Sequence, residues 1–287
     1  MTLLIAGGCS YTASDYHVYK KHNIETWPHL LAREYGYDLI NTATGGYGNR
    51  WIMNSVIDAI MKNKDKEIVV AVTWSEPYRM SFIDDTDLDH AVFLFSDQQH
   101  EHRLTFSPGL ARYFNFNNDA RKEFIKYLKP NSWRKENKLS PIEKAIDFNC
   151  RLVSQSFKNI WYLQDFCDRH NITSYHMHTY NSVKYDEKLS QELYETDDVS
   201  KEALKAIQEN MYFKLVQDFD TYMGYRYNFF NDLEKEGLWI SDNNKINYHP
   251  NQKGHELMAK RFSDFMKTKI RLDNHNDDAQ ELWTKQK

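Results

Sequence analysis

Short apolar runs alternate along the chain with longer segments in which apolar residues recur every three or four positions. Runs of roughly four to eight apolar or β-branched residues, bounded by turn or charged residues, are typical of buried strands. Four such runs predict strands, over Leu3–Ala6, Asp38–Asn41, Ile68–Thr73 and Ile172–Met177. Because these runs are largely apolar rather than strictly alternating, they favour parallel strands that are covered on both faces.

The segments with a period of three to four residues predict the helices Pro28–Tyr35, Arg50–Lys62, Pro141–Arg169 and Gln252–Lys269. We expect Asn49 to be the N-cap of the second of them. Strands and helices in this order predict an α/β fold, a three-layer α/β/α sandwich around a flavodoxin-like, mostly parallel sheet.

Two stretches interrupt this alternation and are longer than ordinary loops. They are Met80–Leu139 and Asn181–Leu238, which carry aromatic and charged residues and broken helical patterns. We interpret them as insertions into a single domain that spans residues 1–270. Residues 271–287 form a polar C-terminal tail.

Charge narrows the classes of partner. The chain has 37 Lys and Arg against 41 Asp and Glu, a net charge of −4, and no polybasic run. This balance argues against nucleic acid or an anionic membrane as a partner and favours a small or neutral ligand. The N-terminus lacks the features of a signal peptide, and the three cysteines do not form a disulfide framework. We therefore expect a cytoplasmic protein, and the sequence indicates no oligomeric state.

Turns that contain residues suited to binding or catalysis follow three of the predicted strands. The first strand leads into "GGCSYT", the second into "NTATGGYGNRW" and the third into "TWSEPYR", while "NYHPNQKGH" precedes the last helix. Ligands of open α/β sheets bind beyond the carboxyl ends of the strands. A serine, glycine-lined turns and a distant histidine are the parts that acyl transfer requires: a nucleophile, oxyanion donors and a base.

These blocks, in this order, resemble those of the SGNH (GDSL-like) hydrolase superfamily. The resemblance covers the core of the chain and leaves out the two insertions. It implies that Ser10 is the nucleophile and His249 the general base. Two other interpretations stay open at this point: Ser10 as the N-cap of the following helix, and Cys9 as the nucleophile in its place.

The resemblance also implies a set of oxyanion and substrate-binding residues. Gly46 and Asn49 match the glycine and asparagine of the second block, and the backbone N–H of Gly46 would join that of Ser10 in holding an oxyanion. Ser75 stands where the third block normally has an asparagine donor. Arg79, just beyond it, is a candidate for binding an anionic or carbonyl group.

The acid of a serine triad has no direct match at the position where the resemblance implies it. The family places an aspartate three residues before the histidine, but this position is Ile246 here. Two arrangements are open. Either Asp242 folds back to accept from the ring N–H of His249, or a carbonyl oxygen takes that place, with Asn247 only two residues away.

Two pairs of histidines and one glycine-rich turn are the features of the sequence that could indicate a metal or cofactor site. His176 and His178, and also His100 and His102, are paired as zinc ligands can be, but no carboxylate or cysteine follows at a typical spacing. "GGYGNR" lacks the third glycine of a dinucleotide fingerprint. We expect neither a metal nor a cofactor.

Three aromatic residues lie beside the turns that follow the strands and are candidates for ligand contact: Tyr16, Tyr47 and Trp74.

Together these features predict a serine hydrolase that cleaves an ester, such as an O-acyl group on a carbohydrate or a small metabolite. Two other functions fit the same sequence. One is a non-catalytic ligand-binding protein on the same fold, suggested by the altered third block and the missing aspartate. The other is an acyltransferase that uses the same acyl-enzyme.

Overall fold

The computed structural model describes residues 1–75, 80–82, 91–96, 103–106, 141–179, 209–225, 227–242 and 245–271. The chain divides into two compact units. The first unit comprises Met1–Glu76, Asn159–Ser182 and Leu215–Lys287, and the second comprises Pro77–Lys158 and Val183–Lys214.

The elements follow the order expected of an α/β protein. The strands are β1 (Leu3–Gly7), β2 (Asp38–Asn41), β3 (Ile68–Trp74), β4 (Met80–Phe82), β5 (Ala91–Ser96), β6 (Arg103–Phe106), β7 (Thr173–His178), β8 (Trp239–Asp242) and β9 (Lys245–Pro250). The helices are α1 (His17–His22), α2 (Trp27–Tyr35), α3 (Asn49–Lys62), α4 (Pro141–Arg169), α5 (Met211–Gln217), α6 (Phe229–Lys235) and α7 (Gln252–Thr268).

A parallel sheet with the strand order β2-β1-β3-β7 forms the centre of the first unit. β1 lies between β2 and β3, with Leu3 opposite both Asp38 and Ile68. The chain therefore leaves β1 toward one neighbour and later returns to its other side, which creates a topological switch point at the carboxyl end of β1. This position is where an open α/β sheet binds its ligand.

Helices cover both faces of this sheet. On one face, Leu4 and Ala6 of β1 share a hydrophobic core with α2 and α7, where Trp27 stacks on Phe262 with ring centroids 4.3 Å apart. On the other face, α3 lies so close to β1 that a Cβ on Gly7 would meet Val56 Cγ2 at 2.5 Å. The α/β fold expected from the sequence, with a parallel sheet between helical layers, is confirmed.

The predicted element bounds differ from the observed ones by at most a residue at each end. The expected N-cap of α3 was wrong: Gly48 is the N-cap, and Asn49 is the first residue of the helix. The physical reason is that the Asn49 amide bonds to Ser75 at the end of β3 instead.

Part of the second predicted insertion belongs with the sheet. Tyr222 forms a bridge with His176 of β7, and Asn228 forms one with His178. Phe229 in α6 is fully buried in the core shared with α2 and α7. The stretch from 215 to 238 is thus a structural part of the first unit.

The second unit contains its own antiparallel sheet, in which β5 pairs with both β4 and β6. The first part of α4 also belongs to this unit. Among the helices of the described residues, none has both the length and the apolar character that crossing a bilayer requires.

Candidate active site

A serine, a histidine and an asparagine form a hydrogen-bonded row at the carboxyl end of β1. The Oγ of Ser10 lies 3.1 Å from Nε2 of His249. The Nδ1 of the same ring lies 2.6 Å from Oδ1 of Asn247. Because an amide oxygen only accepts hydrogen bonds, Nδ1 carries the ring proton and Nε2 is left to accept from the Ser10 hydroxyl. This tautomer is the one that a general base requires.

The turn after β1 places Ser10 at its tip. The carbonyl of Cys9 accepts from the N–H groups of Thr12 and Ala13, at 2.9 and 3.0 Å, so the chain closes into a tight helical turn. Ser10 is only 6% exposed, and its hydroxyl points to His249. The alternative that Ser10 caps the following helix was wrong, because α1 starts at His17 with Tyr16 as its N-cap.

The turn depends on a glycine at position 8. A Cβ there would lie 2.2 Å from Thr12 Oγ1 and 2.4 Å from Thr73 Oγ1, distances that no side chain tolerates. The two threonine hydroxyls bond to each other at 2.6 Å, and the Trp27 indole N–H donates to Thr12 at 3.2 Å. This buried polar cluster fixes the start of the turn to β3 and α2.

His249 reaches Ser10 from the other end of the chain. It is the fifth residue of β9, and α7 starts two residues beyond Pro250. The side chain of Asn251 caps α7 by accepting from the Gly254 N–H at 3.0 Å. The Tyr11 hydroxyl donates to the backbone carbonyl of Tyr248 at 2.8 Å, which ties this strand to the turn that carries Ser10.

The glycine turn after β2 lies against Ser10. Gly46 has φ +88, a conformation that suits glycine. A Cβ on Gly45 would lie 3.8 Å from the Cβ of Ser10, so the backbone passes close to this serine. In the described part of the chain, no hydrogen bond between backbone groups uses the N–H of Ser10 or of Gly46. Both N–H groups are therefore candidates for oxyanion donors.

The side chain of Asn49 forms two hydrogen bonds with the backbone of Ser75. The Asn49 amide accepts from the Ser75 N–H at 2.8 Å and donates to the Ser75 carbonyl at 3.0 Å. Both residues are buried. This contact joins the start of α3 to the residue that follows β3, and so positions the glycine turn relative to the end of β3. Arg79 lies outside the described residues.

Three tyrosine rings surround the His249 imidazole. Tyr16 is nearest, with ring centroids 4.8 Å apart and planes inclined by 33°, and Tyr11 follows at 5.6 Å and 44°. Tyr19 approaches at 6.2 Å and 75°, edge to face. Behind them lies His255, which accepts from the Trp27 N–H. Burial first, and then the neighbouring His249, lower the pKa of His255 to about 3, so this ring stays neutral.

The other candidate groups are buried away from the row. Cys9 is a free thiol with no exposed surface, packed in the core of the first unit, which argues against Cys9 as the nucleophile. His176 bonds to the Trp74 indole and to Gln164, and burial lowers its pKa to about 3. Trp74 itself is fully buried, so its expected ligand contact was wrong.

The paired histidines do not form part of a metal cluster in the described residues. The pKa of His178 is also lowered to about 3 by burial, and its Nε2 lies 2.7 Å from the Tyr222 hydroxyl. Within those residues no three His, Cys, Asp or Glu side chains are grouped so as to hold a metal ion. His100 and His102 lie outside them.

The structure also places Asp242 at the end of β8, where it pairs with Lys245 in the β8–β9 hairpin. Its side chain lies outside the described residues. The position next to Nδ1 of His249, which Asp242 would occupy in one of the two arrangements left open by the sequence, is taken by the side-chain carbonyl oxygen of Asn247.

Sequence reasoning missed two contributions to this site. Gly45 was passed over in favour of Gly46, although the doubled glycine signals a backbone that other groups approach closely. The rings of Tyr11 and Tyr19 follow the serine in the sequence, but no local pattern reveals that they face a histidine more than 200 residues away.

No protein-family model and no curated protein match the chain. Several solved structures are similar to it in fold. One is a psychrotrophic esterase from Pseudoalteromonas, with 14% identity, a TM-score of 0.44, and coverage of 93% of this chain and 96% of that one. An acetyl xylan esterase has 12% identity, a TM-score of 0.40, and coverage of 91% and 98%.

A third similar structure is a protein described as a putative lipolytic protein of the G-D-S-L family, from Desulfitobacterium hafniense. It has 12% identity and a TM-score of 0.37, with coverage of 92% of this chain and 99% of that one. At these identities and scores, the function must be argued from the chain's own residues.

Proposed function

We propose that the chain is a divergent member of the SGNH (GDSL-like) hydrolase superfamily and that it hydrolyses an ester through Ser10. The observation that carries this proposal is the row of hydrogen bonds from Ser10 Oγ to His249 Nε2, at 3.1 Å, and from His249 Nδ1 to Asn247 Oδ1, at 2.6 Å. A nucleophile, a base in contact with it and a third group that orients the base make up the arrangement that covalent catalysis by serine requires.

In the acylation step, Ser10 Oγ attacks the carbonyl carbon of the ester while its proton passes to Nε2 of His249. The carbonyl oxygen becomes an oxyanion, which accepts hydrogen bonds from the N–H groups of Ser10 and Gly46. The tetrahedral intermediate then collapses: the bond to the alcohol oxygen breaks, and this oxygen takes the proton from Nε2. The products are the free alcohol and an acyl group on Ser10.

In the deacylation step, water attacks the acyl carbon and gives its proton to Nε2. The second intermediate expels Ser10 Oγ, which recovers that proton, and the carboxylic acid leaves. Asn247 holds the imidazole in the required tautomer throughout but carries no negative charge to offset the imidazolium. Asn49 acts indirectly, because its amide fixes the backbone of Ser75 rather than touching the oxyanion.

The substrate that we propose is an O-acyl group on a carbohydrate or on another small metabolite. The chain carries a net charge of −4 and no polybasic run, which suits a neutral ester better than an anionic polymer. In the described residues, the Asn247 amide lies beside Nδ1 of His249 and the uncharged Tyr16 ring lies against the imidazole, which suits a neutral substrate.

Two other functions fit parts of the same site. A ligand-binding protein without turnover is favoured by the amide of Asn247, which stands where a triad has a carboxylate. An acyltransferase shares the acyl-Ser10 intermediate and differs only in the acceptor, an alcohol instead of water.

The experiment that tests the proposal is labelling with a fluorophosphonate probe, read by mass spectrometry, together with turnover of chromogenic acetate esters. We expect one adduct per chain, on Ser10, and loss of both labelling and turnover in Ser10→Ala. Ser14→Ala is a matched control, because Ser14 lies on the same turn and is partly exposed, and it should behave like the unaltered protein.

The outcomes separate the three functions. An adduct on another residue, or full turnover in folded Ser10→Ala, would contradict the assignment of the nucleophile. Absence of both labelling and turnover in the unaltered protein would favour the binding protein. If an acetate ester acetylates Ser10, and the acetyl group then passes to added alcohols faster than to water, the result would favour the acyltransferase.

A further inference from the structure

The face of the His249 imidazole is covered by the ring of Tyr16. The two ring centroids lie 4.8 Å apart with planes inclined by 33°, so the phenol lies over the imidazole rather than beside it. The two ring nitrogens are already engaged in the ring plane, by Ser10 and by Asn247. Tyr16 therefore contacts the histidine through its π-face and leaves both nitrogens available for the reaction.

The glycine turn holds Tyr16 in this position. A Cβ on Gly45 would lie 3.0 Å from Cδ2 and 3.1 Å from Cε2 of Tyr16, so a larger residue there would push the ring away by a few tenths of an ångström. Tyr19 in α1 also contacts the Tyr16 ring edge to face, with ring centroids 5.6 Å apart. The ring is therefore held between the glycine turn, α1 and the histidine.

Catalysis by Ser10 places a positive charge on His249 in each half of the reaction. In a serine triad, a carboxylate offsets that charge, but here the Nδ1–H of His249 donates to the neutral amide of Asn247. An aromatic face within about 6 Å of a cation attracts it electrostatically, more strongly where water is excluded. The Tyr16 ring meets this geometric condition.

We propose that Tyr16 is a positioning residue whose ring face stabilises the His249 imidazolium during ester hydrolysis. This inference rests on the proposed function, because the imidazolium forms only if His249 takes the Ser10 proton. It assigns to an aromatic ring part of the role that a carboxylate has in the usual triad.

In the described part of the chain, the His249 ring also lies beside Tyr11, Tyr19 and His255. On the turn after β1 lies Tyr11, whose hydroxyl donates to a backbone carbonyl. On α1 lies Tyr19, whose pKa is raised well above its usual value, chiefly by burial. On α7 lies His255, whose pKa burial lowers to about 3. Between pH 5 and 8, neither Tyr19 nor His255 has a titration that would obscure that of His249.

Loss of the Tyr16 ring should change the pKa of His249 in a direction that depends on the role of the ring. Removing an attractive π-face makes the imidazolium less stable, so the pKa of His249 falls. Simple loosening of the site has the opposite sign, because greater access of water stabilises the charged ring and raises its pKa. The direction of the change therefore separates a π contact from a merely structural one.

The test is a titration of the His249 ring by NMR in the unaltered protein, in Tyr16→Leu and in Tyr16→Phe, with His249→Gln to assign the signal. In Tyr16→Leu we expect the pKa of His249 to fall by roughly 0.4 to 1.5, and kcat for an acetate ester to fall roughly three- to thirty-fold. Tyr16→Phe keeps the ring and should restore both values to nearly those of the unaltered protein.

The two hypotheses fail in different ways. A pKa of His249 that is unchanged or higher in Tyr16→Leu, or a Phe variant that behaves like the Leu variant, would overturn this inference while leaving the ester hydrolase intact. If the unaltered protein neither labels with fluorophosphonate nor turns over esters, the proposed function fails, and the catalytic role of Tyr16 fails with it.

Discussion

Replacing Asn247 by aspartate supplies the negative charge that the row of hydrogen bonds lacks. The two side chains have the same shape, and the acceptor oxygen lies 2.6 Å from Nδ1 of His249, so the hydrogen bond can be kept while the charge changes. A carboxylate at this position stabilises the imidazolium relative to the neutral ring. We therefore expect Asn247→Asp to increase kcat and to raise the pKa of His249.

The magnitude follows from Coulomb's law. Two unit charges about 5 Å apart attract each other by about 3 kcal/mol at an effective dielectric constant of about 20. Asn247 and His249 are both partly exposed, so solvent screening reduces this to about 1 to 2 kcal/mol. This corresponds to a pKa of His249 that is higher by about one, and to a roughly 5- to 30-fold increase in kcat if the transition state carries the full imidazolium charge.

The assay is turnover of a chromogenic acetate ester as a function of pH. The acidic limb of the kcat profile should move up by about one pH unit in Asn247→Asp, and the plateau should rise. Asn247→Leu is the matched control. It keeps the approximate size of the side chain but removes the hydrogen-bond acceptor, so no group holds the proton of the His249 ring on Nδ1 and activity should fall. An Asn247→Asp protein that folds normally and is no faster, with an unmoved acidic limb, would refute this reasoning.

The remaining predictions concern the surroundings of the row. Asp242→Asn should leave kcat nearly unchanged, because Asn247 already occupies the Nδ1 side of His249, and a large loss in folded protein would restore Asp242 as the triad acid. Gly8→Ala should lower the free energy of unfolding by about 3 kcal/mol or more in urea titrations, since its Cβ would meet two buried threonine hydroxyls, whereas Gly36→Ala, with open space around it, should cost only about 1 kcal/mol. Cys9→Ala should retain labelling of Ser10, and loss of labelling in a folded variant would return the thiol to the reaction. Because burial lowers the folded-state pKa of His255 to about 3, the stability that its neutral ring contributes is complete above about pH 6.5 and is lost as the pH falls toward 3; urea unfolding of His255→Gln should depend less on pH over that interval.

The sequence determined the framework of this protein through local patterns. Each strand of the parallel sheet is an apolar run with a turn at its end, and each run coincides with an observed strand to within a residue at each end. Local patterns suffice there because the side chains of a buried parallel strand are almost all apolar. The same patterns predicted Ser10 just after β1 and His249 just before α7, and the resemblance to the SGNH family then suggested the roles of nucleophile and base for them.

Only the tertiary structure decided which partners these residues have. The Ser10 hydroxyl and the His249 ring are 239 positions apart in the chain, and no period in the sequence encodes their contact. Asn49 looked like a helix cap because asparagine commonly caps helices, but its amide forms two bonds with Ser75 across the sheet instead. Whether Asn49 caps the helix or bonds to Ser75 depends on a residue 26 positions away in the chain, and local helix propensity contains no information on that contact.

The surroundings of the histidine show the same division most clearly. The sequence left open whether a carboxylate or a carbonyl oxygen accepts from His249, and the fold of β9 placed the Asn247 amide there. Tyr16 follows Ser10 by six residues, yet its position over the imidazole depends on the close packing of Gly45, from a different turn. Residue types that can do chemistry are thus readable from the sequence, whereas the distances and angles that decide their roles arise only when distant segments pack together.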